Sequence, residues 1–106
     1  MTVPSSKPEN SASICQWGSE VFGDVKDLKV LALRAQDELN ELIDAIDTQQ
    51  SNEHIALEAA DVTILLHRLC GTVGFDLSGT VDKKMKINRS RNWTCSGNGV
   101  GEHISN

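Results

Sequence analysis

The chain has 106 residues, three cysteines and a formal charge of −5. That length holds one domain with a small core. The acidic balance argues against nucleic acid or an anionic membrane as the main partner, since both are met by clustered Lys and Arg. Cys15, Cys70 and Cys95 are odd in number and show no CxxC spacing, which excludes a disulfide framework and a zinc signature and fits reduced thiols. No basic-plus-apolar leader opens the sequence, and no apolar run approaches the roughly 20 residues of a membrane span, so a soluble, cytoplasmic protein is expected.

Residues 1–13 are rich in Ser, Pro and Asn without apolar periodicity and read as a flexible tail. A short helix is expected at about 13–21, where Ile14, Trp17 and Val21 share one face; the Phe22-Gly23-Asp24 turn ends it. Leu, Ala, Glu and Lys dominate residues 26–91, both prolines lie before them, and β-branched residues do not alternate, so the fold class is all-α.

The spacing predicts a second helix over about 25–47, with Leu28, Leu31, Ala35, Leu39, Leu42 and Ile46 forming a seam at steps of three and four. The polar link 48–52 is short enough to make a third helix, about 53–72, run antiparallel beside it, ended by Gly71 and Gly74. A fourth helix, about 77–91, turns Leu77, Val81, Met85 and Ile87 inward and carries Lys83, Lys84, Lys86, Arg89 and Arg91 on its other sides. Residues 94–106, with Gly and Ser, read as a second tail, leaving one helical domain over 14–93. A bundle of about four helices this short leaves much of its surface exposed, and self-association into a homo-oligomer is the expected remedy.

The stretch IALEAADVTILLHRL, residues 55–69, sets Glu58 and Asp61 in an otherwise apolar helix. Three residues apart, they point the same way, and an ionised carboxylate buried without a partner is destabilising by several kcal/mol or shifts its pKa. Glu38 and Glu41, also three apart, flank the seam of the preceding helix. Packed antiparallel, the two helices bring four carboxylates to one cleft, where all-oxygen ligation suits Mg2+ or Mn2+. The plainer alternative is that these acids are a solvated stripe. On the fourth helix Lys84 and Arg91 lie two turns apart with Asn88 between them on one face, an arrangement suited to a polyphosphate, or else a solvated basic face favourable to the helix dipole.

The pattern Glu38-x-x-Glu41, sixteen residues, Glu58-x-x-Asp61, then Lys84-x-x-x-Asn88-x-x-Arg91-x-Trp93 resembles the all-α nucleoside triphosphate pyrophosphohydrolases of the MazG-like superfamily over roughly residues 17–93. Trp17-x-x-x-x-Phe22-Gly23 is similar to a branch acting on purine deoxynucleotides, the dATP/dGTP diphosphohydrolases. The resemblance implies a helical bundle, dimeric or tetrameric, that cleaves a nucleoside triphosphate between the α and β phosphates. It implies Glu38, Glu41, Glu58 and Asp61 as Mg2+ ligands, Lys84 and Arg91 as phosphate partners, and Asn88 near the sugar or base. Where the family often has Glu before the first motif glutamate, this chain has Asp37.

The expected mechanism is attack by a metal-activated water, with Glu41 as the proton acceptor and no covalent intermediate. Cys15 and Cys70 have no base partner in sequence, and His54, His67 and His103 lack ligand spacing, which places them at the surface or at helix ends. Trp17 and Trp93 offer flat rings to a nucleobase, or plug the ends of the bundle. Two rival functions remain open on the residues: a non-catalytic helical dimerisation module, and a phosphoribosyl-ATP pyrophosphohydrolase.

Overall fold

In the computed structural model, which describes residues 7–104, α1 spans Ser11–Phe22, α2 Leu28–Asp47, α3 Asn52–Thr72 and α4 Leu77–Arg89. A hairpin follows, β1 Trp93–Cys95 paired antiparallel with β2 Gly101–His103. Each helix begins where a side chain takes up one of its free N–H groups. Asn10 and Ser13 form a reciprocal capping box before α1, Asp27 accepts from Lys29 N, Ser51 from His54 N and Asp76 from Gly79 N. These caps move the expected starts of the first two helices, 13 and 25, to Ser11 and Leu28. The fourth ends at Arg89 rather than 91, where Ser90 caps it.

α2 and α3 form the main packed pair, and α1 lies against α3. Their link closes α2 with Gln49 N donating to Ile46 O and Gln50 N to Ala45 O, while Gln49 adopts φ 55°. This is the Schellman arrangement, with Gln where Gly is usual. Gly74, at φ 89°, ends α3 in the same way. Gly71 does not end the helix. Its bare Cα admits α1: a Cβ there would overlap Cys15 Sγ and come within 2.9 Å of Ser11 O.

The core is thinner than the seam implied. Leu31 and Ala35 are buried and Leu42 is half-buried, but Ala45 takes the place expected of Ile46, and Leu28, Leu39 and Ile46 are exposed. The physical reason is that α3 alone packs extensively on α2, so one narrow line of α2 is covered. α4 meets α3 over a short contact, and Val81, Met85 and Ile87, expected inward, are exposed, with Leu77 half-buried.

The segment read as a C-terminal tail carries most of the hairpin. Gly97 and Gly99, both at φ 88°, turn the chain, and Trp93 Nε1 donates to Asn88 O at 2.8 Å. Residues 1–6 and 105–106 of the two tails lie outside the described residues.

One buried hydroxyl fastens the start of α1 to the α3–α4 junction. Ser11 Oγ, in a residue 1% exposed, accepts from Leu77 N at 2.7 Å and lies 2.8 Å from His67 Nδ1. The Ser11 N–H donates to Asp76 Oδ1 at 3.0 Å. That bond and the one from Gly79 N hold the Asp76 carboxyl below the usual aspartate range. No helix among the described residues is long and apolar enough to cross a membrane.

Candidate active site

Along the α2–α3 pair, residue numbers rise on one helix as they fall on the other. Glu38 lines a cavity with Asp61, while Glu41 shares a shallower groove with Glu58. The helices are therefore antiparallel, and one carboxylate oxygen each from Glu38, Glu58 and Asp61 lies within 4.8 Å of the others. Glu41 stands beside Glu38: a hydrogen bond between the two carboxyls, then burial and their like charge, push the Glu38 carboxyl above the usual glutamate range, against the pull of Arg34.

Two of the acids are each met by a nitrogen-bearing side chain one turn earlier on the same helix. Arg34 Nη2 donates to Glu38 Oε1 at 3.1 Å and Nη1 to Asp37 Oδ2 at 3.2 Å; His54 Nε2 lies 3.4 Å from Glu58 Oε1. The other Glu58 oxygen, Oε2, is buried and has no hydrogen-bond partner among the described residues. An orphaned carboxylate oxygen on a residue that meets two further carboxylates fits a hard divalent cation, whose ligands are oxygens of this kind. Glu38, Glu58 and Asp61 are the residues that would hold it, with Glu41 adjacent.

The cavity beside them has a volume of about 650 Å3. Leu31, Ile64 and Leu65 belong to its apolar lining, and Trp17 and Phe22, both exposed, stand at its mouth. The two rings meet edge to face, 5.6 Å apart at 88°. Arg68 fixes this wall: its Nη2 donates to Gly23 O at 2.7 Å while the guanidinium lies 5.8 Å from the Phe22 ring centre. An acid cluster opening into an apolar cavity with exposed aromatic rings is suited to a ligand that is charged at one end and flat at the other.

The sequence-expected residues thus divide. Glu38, Asp61 and Trp17 line this cavity, with Glu58 and Glu41 at its edge. Lys84, Asn88, Arg91 and Trp93 do not line it. Trp93 packs instead against His103, with ring centres 5.7 Å apart, and Asn88 Oδ1 is a second buried acceptor without a partner among the described residues. Of the histidines expected at the surface or helix ends, His54 is drawn to Glu58 and His67 to Ser11. Arg34 and His54 went unmarked in the sequence as site residues, yet each sits four positions before an acid of the pair, a spacing that places it one turn below.

No protein-family model matches the chain. The dATP/dGTP diphosphohydrolase of cyanophage S-2L is 31% identical over 102 residues, covering 96% of this chain and 91% of its own. A solved structure of the cyanophage S-2L MazG-like pyrophosphohydrolase, bound to dGDP and three catalytic Mn2+ ions per active site, superposes with a TM-score of 0.69 at 30% identity, over 91% of this chain and 90% of that one.

Proposed function

Because the chain belongs to the MazG-like nucleotide pyrophosphohydrolases, hydrolases of phosphoanhydride bonds, we propose that it cleaves a purine deoxynucleoside triphosphate between the α and β phosphates. The products are the monophosphate and pyrophosphate, and the working ion is Mg2+, with Mn2+ as a substitute. The observation that carries this reading is the meeting of Glu38, Glu58 and Asp61 at the wall of a cavity with aromatic rings at its mouth. The purine deoxynucleotide named for the cyanophage relative supports the substrate class.

Divalent cations bound among the acids would supply positive charge against the phosphates and acidify water. Glu38, Glu58 and Asp61 hold that charge in place. Glu41, exposed and beside Glu38, takes the proton of the attacking water. Trp17 offers its ring to the base, while Leu31 and Leu65 exclude water from the inner wall. The mechanism uses no thiol nucleophile, and the Cys15 Sγ donates to Arg68 O, 3.1 Å away.

The working form is a homodimer or homotetramer. Leu28, Leu39, Ile43 and Ile46 on α2, with Val81, Met85 and Ile87 on α4, leave more apolar surface uncovered than a monomer of this size ordinarily tolerates. Lys84, Asn88, Arg91 and Trp93 then reach a cavity from a neighbouring copy, Lys84 and Arg91 toward phosphate and Asn88 and Trp93 toward the nucleoside.

The test is pyrophosphate release by the full chain from a panel of canonical and modified ribo- and deoxyribonucleoside triphosphates, with Mg2+ or Mn2+, the nucleotide product identified by chromatography. Turnover of dATP or dGTP to the monophosphate, lost in Glu58→Gln and Asp61→Asn, is the expected result. No turnover above the Glu58→Gln background with any substrate would overturn the reading.

A further inference from the structure

Resting on that reading of the acid site, we propose that Arg34 is a displaceable counter-ion: it holds Glu38 until a divalent cation takes the carboxylate, and then turns to the phosphates of the nucleotide.

The geometry gives Arg34 both positions. Its guanidinium spans Glu38 and Asp37, at 3.1 and 3.2 Å, and it lines the same cavity as Glu38 and Asp61. The Arg34 side chain is 55% exposed, so neighbours do not lock it, whereas the Glu38 side chain it meets is 16% exposed. Such a pair contributes little to folding. Its order along the helix, cation before acid by four residues, is moreover the weaker of the two orders. Its larger effect is local, because Glu38 faces Glu41, Glu58 and Asp61, and Arg34 is the cation the structure sets against it.

Arrival of a divalent cation reverses that balance. The carboxylate that attracted Arg34 is taken, and a neighbouring positive charge repels the guanidinium. Asp37, 64% exposed, is then a weak hold. A triphosphate in the cavity offers oxygens matched to a planar, two-pronged donor. Arg68 is not equally free, since its Nη2 is bound to Gly23 O and its face lies against Phe22.

The consequence is two effects of opposite sign from one residue. Mn2+ binding to the nucleotide-free protein, followed by electron paramagnetic resonance of free Mn2+, should be about threefold tighter in Arg34→Gln than in the parent, the size of an exposed ion pair lost as a competitor. Binding of α,β-methylene dATP and dGTP with saturating Mg2+ should be about tenfold weaker in the same variant, for loss of a charge-assisted contact. Arg34→Lys should recover part of the analogue binding. Unchanged or weaker Mn2+ binding in Arg34→Gln, or unchanged analogue binding, would overturn the proposal. Glu58→Gln in the same titration keeps the two readings apart: if it binds Mn2+ as the parent does, the metal site itself is wrong, and Arg34 has nothing to yield to.

Discussion

Replacing Glu58 by Gln should make the metal-free protein more stable and the metal-loaded protein less so. Glu58 lies within 4.8 Å of Glu38 and Asp61 and is 19% exposed, with one oxygen buried and unpartnered among the described residues. Two like unit charges at that separation repel by about 0.9 kcal/mol in a water-like medium and about 3.5 kcal/mol at an effective dielectric of about 20. Asp61 is exposed, Arg34 offsets part of the Glu38 charge, and His54 Nε2 lies 3.4 Å from Glu58 Oε1, so the low end applies, about 1 kcal/mol relieved by the neutral amide. For a helical domain of this size that is a rise of about 4–8 °C in Tm. With Mn2+ at a hundredfold excess over its Kd, the parent gains about 2.7 kcal/mol and the variant, lacking a ligand, gains little, so the order of melting reverses. The assay is thermal unfolding by circular dichroism in chelator and in Mn2+. Parallel Mn2+ shifts in the two proteins would refute the reasoning, because the buried oxygen would then have no part in holding an ion.

Gly71→Ala should lower stability by roughly 1–3 kcal/mol, read from the urea midpoint, because the new methyl has to displace Cys15 Sγ and the Ser11 carbonyl. An unchanged midpoint would show that α1 does not press on α3 at this point. Asp76→Asn should remove a pH-dependent stabilisation. The carboxyl is held below its ordinary range by the Ser11 and Gly79 N–H groups, so folding favours the charged form. That contribution is complete above the unfolded value of about 4 and is lost as pH falls through the lower folded value. Urea unfolding at neutral pH should separate parent from variant, and the gap should close in strong acid; a gap constant across the range would count against the Asp76 contacts.

The helices were legible because their periods are local, and the three-residue spacing of the acids survives folding unchanged. Their caps, Asn10, Asp27, Ser51 and Asp76, are equally local but were not read, and the starts of the first two helices were misplaced by two or three residues for that reason. The seam of α2 was half legible. Periodicity marks which residues share a face, but the width of the face that is covered depends on what packs there, and Leu28, Leu39 and Ile46 are left open because α3 alone packs extensively on α2. The hairpin over Trp93–Cys95 and Gly101–His103 carried no alternating apolar signal and depends on two glycines at positive φ. Arg68 and the Ser11–His67–Asp76 tie were hidden for another reason: their partners lie 45 or more residues away. The Arg34–Glu38 and His54–Glu58 pairs, by contrast, follow from a four-residue step alone.

The tight closure of α2 at Gln49 and Gln50 acts as a ruler for the chemistry. Glu38 and Glu58 stand on opposite limbs of this helical hairpin, and each residue added to a helix advances it by about 1.5 Å and turns it by about 100°. One residue inserted or deleted within 48–51 would therefore threaten to swing one limb's acids away from the other's. The connection is held in length by this geometry, and in composition at two points, the positive φ of Gln49 and the Ser51 hydroxyl that caps α3.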